Sequence, residues 1–404
     1  MTVLSSIDEL FSAGAFVQAG IDASLRHELG EISSVEFNFQ PVQDGAGEGE
    51  TDQLAQVRIN AARGSRVFHG VRLAYITDGT WHWATSRVQH FSIPELHSPQ
   101  PDDPALESIA RSLVGEVPVF RTIQGEHEAV VAIDYTTLPP QPRESILAGI
   151  ERSSEGVDER LALLTLGNHL QQPIDEVGDY LRFYDGTTAQ LTPADDPHGR
   201  RTIALNGATW GLSPAHVLAD AHFPAAEHQF FLEAQYPGLS AQLDVDSGQA
   251  VVNSRAGSIT VPAHLIATVG SGTFTWAWAD EQLASTPAAQ AAGHVRRFGW
   301  DNAVPALLRP HLPVDVARKA RLPQVAMPIL GLWTLLPVQL SGGQLGLALS
   351  DAIPFRLPAP SPAAVEATLA VPVPEGVDEQ RARAAYAAFR GISLSQSTAE
   401  LSQN

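Results

Sequence analysis

The sequence predicts an α+β protein of two homologous halves, each an antiparallel sheet with helices packed on one face, plus a central β-meander. Three observations lead to this class. Strand-like alternation recurs in both halves, a pair of tryptophans two residues apart occurs once in each half, and helix signals flank the strands in both. The chain has 404 residues, which is enough for two or three domains.

Matching segments occur in the same order in both halves. Ser33–Gln40 alternates apolar and polar residues, and Leu239–Asp246 repeats this alternation 206 positions later. The tryptophan segments DGTWHWAT, which begins at Asp78, and SGTFTWAWAD, which begins at Ser271, match at an offset of 195. The polar stretch Gln43–Gln53 accounts for the change of offset and is predicted to be a flexible hairpin loop.

The downstream matches lie at a larger offset. The tetrapeptide GVDE occurs at Gly156–Glu159 and again at Gly376–Glu379, so the second copy carries about two dozen extra residues in the helical-looking Gln290–Arg321. Because the matches keep their order and the changes of offset fall at identifiable insertions, the sequence predicts an internal duplication.

Each copy is expected to begin with a helix. In the first copy Val17, Ile21, Leu25 and Leu29 lie on one helical face, and Gly30 ends the helix. A strand pair joined by Asp78-Gly79, a helix, a β-hairpin and a helix beginning at GVDE are predicted to follow, the last three over Ala105–Leu113, Val117–Tyr135 and from Asp158.

The second copy repeats this plan. Ser213-Pro214 is a helix start, and Pro224 is expected to break or restart that helix. The hairpin Leu335–Ile353 and the helix from Asp378 correspond to those of the first copy. The charge-free run Leu322–Ser350 is predicted to form buried strands and turns, since its prolines and paired glycines interrupt any membrane span.

The predicted domain limits follow from these matches. Asp179–Trp210 is expected to form a small meander that extends one sheet or bridges the two. The expected domains are a first copy over 1–175, the connecting meander over 176–212, a second copy over 213–392 and a disordered tail over 393–404.

Composition and charge exclude several classes of partner. The formal net charge of −20 argues against nucleic acid and anionic membranes, both of which would repel the chain. The absence of cysteine excludes disulfides and zinc–thiolate sites. The N-terminal segment has early acidic residues and no Lys or Arg before Arg26, so it does not resemble a secretory signal, and the expected location is the cytoplasm.

The tryptophan pairs are the candidate ligand-binding residues. Residues two apart on a strand share a face, so Trp81 lies beside Trp83. Trp276 lies beside Trp278 in the same way. Such a plate can stack a ring, a sugar or a base, or it can be covered by the repeat's own helices, and the core alternative is favoured. His82, on the reverse face, completes this set and matches an alanine in the second copy, which excludes a duplicated histidine function.

Other catalytic patterns have weak support. Asp244 and Asp246 share a strand face, but a plain polar surface explains them. His216, His222 and His228 are six residues apart and scatter around a helix. The sequence contains no zinc-protease, nucleophile-elbow or phosphate-loop motif. No catalytic residue, metal or cofactor is therefore predicted.

The segment Gly272–Asp280 and the order of helix, strands and helices resemble a family of uncharacterised actinobacterial proteins marked by a T-W-x-W-A segment. The resemblance covers roughly Pro214–Phe355 and, more weakly, the first copy, where His82 and Thr85 depart from the motif. It implies a fold unit present as two tandem divergent copies, and no catalytic residues.

Three functions are compatible with this sequence. The favoured one is a non-catalytic binding or protein-interaction module of the cytoplasm; whether the protein is an enzyme is left open. The alternative is a small-molecule-binding protein or enzyme with its site in the cleft between the two halves. The third is a scaffold that pairs through a sheet edge of the meander. The partner is expected to be a protein or a small molecule, and the chain a monomeric pseudo-dimer or a homo-oligomer.

Overall fold

The computed structural model describes residues 4–40, 52–115, 117–124, 127–137, 141–152, 156–172, 174–191, 203–206, 212–255, 257–341 and 343–393. The chain divides into two compact units, residues 1–208 and residues 209–404. Three predicted features lie outside the described residues, wholly or in large part: the polar loop over 43–53, the turn at 195–200 and the tail from 393.

The first unit contains helices, a large sheet and a small sheet. Its helices are α1 (Ile7–Leu29), α2 (Pro104–Val114), α3 (Pro142–Arg152) and α4 (Glu159–His169). The large sheet contains β1 (Ile32–Phe39), β2 (Leu54–Ala61), β3 (Gly64–Thr77), β4 (Thr80–Trp83), β5 (Gln100–Pro101), β6 (Val119–Gln124) and β7 (His127–Ile133). The small sheet contains β8 (Asp175–Val177), β9 (Tyr180–Arg182), β10 (Thr188–Leu191) and β11 (Ile203–Asn206).

The large sheet curls into a ring. β3 is long enough to pair with β2 through its first half and with β7 and β4 through its second half. β6 pairs with β7. Thr122 Oγ1 of β6 donates to the carbonyl of Val35 in β1 at 2.9 Å, so β6 lies next to β1 and the ring closes between these two strands. Alternate residues of β2 are buried and exposed, so one face of the ring is its core.

Helix α1 follows the predicted pattern. Ser6 caps its start and Gly30 ends it with φ of 80°. The four residues of the predicted apolar face are buried, and Leu25 and Leu29 pack into the core of the strand ring. Helices α2, α3 and α4 all pack against α1. The predicted cap of α4 is also confirmed, because the Asp158 side chain accepts from two backbone N–H groups of its first turn.

The predicted meander is confirmed as β8 to β11, but its expected role is wrong. It forms a four-stranded antiparallel sheet of its own, in the order β11-β10-β9-β8, and extends neither large sheet. Each of its short strands pairs with its neighbour in the sequence, which satisfies their backbone groups locally.

The second unit repeats the order of helices and strands. Its helices are α5 (Pro214–Gln235), α6 (Gln290–Asn302), α7 (Val314–Lys319), α8 (Leu322–Leu330), α9 (Pro362–Leu369) and α10 (Glu379–Arg390). Its strands are β12 (Ser240–Asp244), β13 (Gln249–Ser254), β14 (Gly257–Pro262), β15 (His264–Gly270), β16 (Thr273–Trp276), β17 (His311–Pro313), β18 (Thr334–Gln339) and β19 (Leu345–Ser350).

These strands also form a ring. The sheet order is β14-β13-β12-β18-β19-β15-β16-β17, and only Ala263 separates β14 from β15 along the chain. The two strands therefore take the place of the single long β3 of the first unit. The predicted antiparallel sheet is confirmed, with one parallel pair, β12 and β18, which meet at Gln242 and Gln339. This parallel pair joins the hairpin of β12 and β13 to the hairpin of β18 and β19 within the ring.

Two further predictions for the second unit are wrong. Pro224 does not break the first helix, since α5 runs without interruption from Pro214 to Gln235 and buries Pro224 among its neighbours. The run Leu322–Ser350 begins with α8 instead of a strand; Pro323 occupies its first turn, where no N–H bond is lost, and Pro328 is tolerated near its end. Across the described ranges, no helix is long and apolar enough to cross a membrane.

Candidate functional site

Both tryptophan segments lie in hairpins whose turns fix their register. Asp78-Gly79 forms the first turn with φ of 51° and 69°, and Ser271-Gly272 forms the second with φ of 50° and 79°. Two successive residues at positive φ are the signature of a type I′ turn. Trp83 and Trp276 are each the fourth residue after their turn, so they occupy equivalent places at an offset of 193.

The predicted offset of 195 is therefore wrong by two for this hairpin. Trp81 corresponds to Phe274, and Trp278 lies beyond the end of β16, so it does not share a strand with Trp276. A shift of two residues keeps every side chain on its face, which is why the alternation alone did not reveal it. His82 likewise corresponds to Thr275 and not to Ala277, and the two copies still differ at this place.

The aromatic pairs at these positions are packed alike. The rings of Trp81 and Trp83 are 5.2 Å apart and those of Phe274 and Trp276 are 5.0 Å apart, both edge to face. Trp81 and Trp276 are fully buried. The indole N–H of Trp83 donates to the Glu95 carbonyl, and that of Trp276 donates to the Ala306 carbonyl. This burial is the core alternative that the sequence favoured; a ligand role for these tryptophans stays a prediction.

A shared irregularity precedes each hairpin. The ladder is interrupted at Leu73 in the first unit and at Ile266 in the second, again 193 positions apart. The carbonyl of Leu73 accepts from the Ala84 N–H at 2.8 Å, and that of Ile266 accepts from the Ala277 N–H at 2.9 Å. The two bulges fix which residues before them face the core of each ring.

His82 lies in a group of aromatic and charged side chains at one end of the first ring. Its imidazole stacks on Tyr75, with the ring centres 4.8 Å apart and the planes within 8°. The guanidinium carbon of Arg72 lies 5.2 Å from the centre of Tyr75 and 5.4 Å from that of Phe39. Arg72 is thus held between two aromatic rings, an arrangement that stabilises a cation.

These residues border a cavity of about 440 Å³, which we call the mouth of the first ring. Phe37 and Ala129 lie deepest in it, since both are buried and both belong to the core of the ring. The remaining walls come from β1, β3, β7 and the start of β2, with the lining residues Asn38, Phe39, Gln53, Arg72, Tyr75, Ile76, Thr77 and Glu128.

Two polar atoms in the mouth lack partners. Arg72 Nε is buried without a hydrogen bond, and no acidic side chain among the described residues pairs with this arginine. Gln53 Oε1 is also buried without a donor, while its Nε2 donates to the Gln40 carbonyl. Burial lowers the pKa of the Arg72 guanidinium. A desolvated cation and an orphaned acceptor are costly unless a ligand completes them.

Glu128, the carboxylate among the described lining residues of the mouth, is paired. Glu128 Oε1 lies 2.6 Å from Arg121 Nε, and the other side of Arg121 is held by Asp102 at 2.7 Å. The hydrogen bonds that Arg121 donates to both acids raise its pKa, so this cation stays charged and keeps Glu128 engaged. Among the described residues of the mouth, Arg72 is therefore the charge without an opposite partner.

The second ring is filled at the equivalent place. Leu265, the residue before the bulge, stands where the first unit has Arg72, and it is fully buried. The Ala288 N–H donates to the Val245 carbonyl, and Ala277, Ala288 and Ala289 pack into the core of this ring. The two rings thus share a framework but differ in what lines their ends.

Sequence reasoning did not identify Arg72, Phe39 or Tyr75. The acidic pair that the sequence places on one strand face belongs to a turn after β12. The Asp244 side chain accepts there from the Asp246 N–H and from the Ser247 hydroxyl. Within the described ranges, no three His, Cys, Asp or Glu side chains are grouped so that they could hold a metal ion.

Comparison with known proteins gives one match. A family of unknown function, DUF6882, matches residues 215–352, which lie within the second unit and cover about a third of the chain. No curated protein and no solved structure matches the chain. The resemblance to an uncharacterised family is thereby confirmed for the second half, and it brings no activity with it.

Proposed function

We propose that the protein is a non-catalytic binding module whose ligand site is the mouth of the first ring. Its ligand is a small carboxylate that carries a planar apolar group and a hydrogen-bond donor. The observation that carries this proposal is the half-buried guanidinium of Arg72, held between Phe39 and Tyr75 without an acidic partner among the described residues.

The chemistry of the mouth selects this class of ligand. The guanidinium carbon lies over the rings of Phe39 and Tyr75, and the N–H groups of a guanidinium match a carboxylate. Phe37 and Phe39 supply an apolar wall, and Gln53 Oε1 supplies an acceptor for a hydroxyl or amide of the ligand. The mouths of β-barrels are preferred places for small-molecule sites.

A binding role is favoured over catalysis by the groups that line this cavity. Glu128, the carboxylate among the described lining residues, is paired with Arg121, and the stacked His82 adjoins Tyr75 outside the lining. Acid–base work requires a group that is free to exchange a proton with the substrate.

The test is a calorimetric titration with 4-hydroxybenzoate, which has the carboxylate, the ring and the hydroxyl donor. Wild-type protein is expected to bind it, and Arg72→Gln to bind at least about tenfold more weakly, since a charged hydrogen bond contributes about 1.5–3 kcal/mol. Arg58→Gln, an exposed change on β2, is the matched control and should bind like wild type. Equal affinity in wild type and Arg72→Gln would refute the site.

We also propose that the two units arose by duplication, as the sequence predicts. Support comes from the shared order of helices and strands, the shared type I′ turn and the bulges at Leu73 and Ile266. A crystal structure tests this: superposing residues 54–133 on 249–350 should bring Leu73 onto Ile266 and Trp83 onto Trp276. A mismatch of these pairs would contradict the duplication.

The other functions drawn from the sequence stay predictions. They are a site between the halves, a sheet-edge scaffold, a protein partner and a cytoplasmic location. If 4-hydroxybenzoate binds Arg72→Gln as tightly as it binds wild type, these functions are the next ones to test.

A further inference from the structure

Each unit has a cavity among its helices. In the first unit it lies between α1, α2 and α3 and has a volume of about 210 Å³. In the second unit it lies between α5, α8 and the segment after α9, and its volume is about 280 Å³. α5 precedes the strands as α1 does, and α8 precedes the last hairpin as α2 does.

The two arginines that line the first of these cavities, Arg111 and Arg152, have acidic partners. Asp22 is buried, its Oδ2 lies 2.6 Å from Arg111 Nη1, and it also pairs with Arg152. Arg111 is held by Glu107 as well, at 2.8 Å. The acidic side chains attract Arg111 strongly enough to raise its pKa despite its burial. The arginines of this cavity are therefore neutralised from within.

The second cavity has the cation but not the carboxylate. Arg321 lines it, and the only hydrogen-bond partner of its guanidinium among the described residues is Nδ1 of His222, at 3.5 Å. Gln229 also lines this cavity and is the residue of α5 that follows His222 by two turns; its amide donates to Glu233 on the outside. An arginine with no acid beside it is an incomplete ion pair.

The backbone holds Arg321 in place. It lies between α7 and α8 in the left-handed region, with φ of 50° and ψ of 42°, a conformation that costs energy for a residue with a side chain. The folded structure maintains this conformation, which keeps the guanidinium beside His222.

His222 lies beside Arg321 in this cavity. Its side chain is 4% exposed, and because arginine can only donate, Nδ1 accepts and Nε2 carries the proton. Nε2 is buried near the backbone of Val371 but makes no hydrogen bond of good geometry. Burial, and then the charge of Arg321, lower the pKa of His222, and a hydrogen-bonding interaction with the Val371 backbone raises it by a smaller amount. The remaining walls are largely apolar and include Leu218, Ala225, Met327 and Leu335.

We infer that this cavity of the second unit, lined by His222 and Arg321, is a binding site for an amphipathic carboxylate with an unbranched alkyl chain. The carboxylate pairs with the Arg321 guanidinium and supplies the acidic partner that the arginines of the first cavity have within their own unit. The alkyl chain lies along the apolar wall toward Phe230, which is 44% exposed at the rim. This site is separate from the mouth of the first ring and does not depend on it.

The experiment is a calorimetric titration of the full chain with octanoate and with octan-1-ol, which has the same chain without the charge. Wild type is expected to bind octanoate at least about tenfold more tightly than octan-1-ol, the factor that one charged hydrogen bond supplies. Arg321→Asn should remove this preference, since asparagine tolerates the left-handed backbone and carries no charge. Ala226→Leu, which fills the cavity, should weaken both ligands.

A control variant makes the result decisive. Arg318→Gln removes an exposed arginine three residues away and should bind octanoate like wild type. The inference is overturned if Arg321→Asn binds octanoate like wild type, if octan-1-ol binds as tightly as octanoate, or if Arg318→Gln loses as much affinity as Arg321→Asn.

Discussion

Lowering the pH from 7.5 to 5 should weaken the second unit because of one buried histidine. His228 of α5 is 8% exposed, its Nδ1 lies 3.3 Å from the Thr334 hydroxyl, and its ring packs near Trp333. Burial, and then the nearby charge of Arg390, lower its pKa from the ordinary 6.5 to about 4. The folded state therefore resists a proton that the unfolded state accepts.

The sign and size of the effect follow from this difference. Between pH 6.5 and pH 4 the unfolded chain binds more protons than the folded chain, so the free energy of unfolding falls as the pH falls. With these two pKa values, the loss between pH 7.5 and pH 5 is about 2 kcal/mol. Below pH 4 both states are protonated at His228, and its contribution changes no further.

The assay is urea unfolding followed by tryptophan fluorescence at several pH values. His228→Gln keeps a partner for Thr334 but cannot titrate, so it should lose about 2 kcal/mol less than wild type over this range. The shift that this variant causes also identifies the transition of the second unit. His294→Gln, an exposed change on α6, should follow wild type. Identical pH dependence in wild type and His228→Gln would refute the reasoning.

Two more predictions concern packing and ion pairs. Gly149→Ala should destabilise the first unit by about 1–3 kcal/mol, since the new Cβ would lie 2.0 Å from a ring carbon of Phe16; Gly293→Ala, with open space around it on α6, should stabilise by about 0.5–1 kcal/mol. Calorimetric melting checks both, and a shift of the same sign in the two variants would contradict the packing. Asp22→Asn should cost about 3 kcal/mol in urea unfolding because it removes the buried carboxylate that pairs with both Arg111 and Arg152 and leaves Glu107 as the remaining acidic partner of Arg111, and an unchanged midpoint would count against these pairs.

Local signals in the sequence were sufficient for most elements. The apolar face and Gly30 predict α1, and Asp78-Gly79 predicts the hairpin, because caps and turns depend on residues close in the chain. The predicted helix break at Pro224 is wrong because the outcome depends on a distant part of the chain. α10 packs along α5, and this tertiary packing outweighs the hydrogen bond that proline removes.

The closure of each ring could not be predicted in this way. It depends on contacts between strands that are far apart in the sequence, as in the side-chain bond from Thr122 to Val35 and the parallel pair of Gln242 and Gln339. A period of two identifies the face of a strand but not its neighbour. The meander was expected beside a large sheet for the same reason, and it forms its own.

The alignment of the two halves of the sequence hid the candidate site. At the predicted offset of 195, Arg72 is compared with Ala267, and neither is notable. At the structural offset of 193 it is compared with Leu265, which shows a charge at a place where the second unit buries a leucine. The tryptophan pairs set the wrong offset because they are the most visible residues of both segments, yet only Trp83 and Trp276 are equivalent.

The most direct test of the central claim is a cycle of two proteins and two ligands. Affinities of wild type and Arg72→Gln are measured by calorimetry for 4-hydroxybenzoate and for 4-hydroxybenzamide, which has the same ring and hydroxyl but no charge. Wild type should prefer the carboxylate by about tenfold or more, and Arg72→Gln should lose that preference. If Arg72→Gln keeps the preference, Arg72 does not bind the carboxylate, and the mouth of the first ring is not the ligand site.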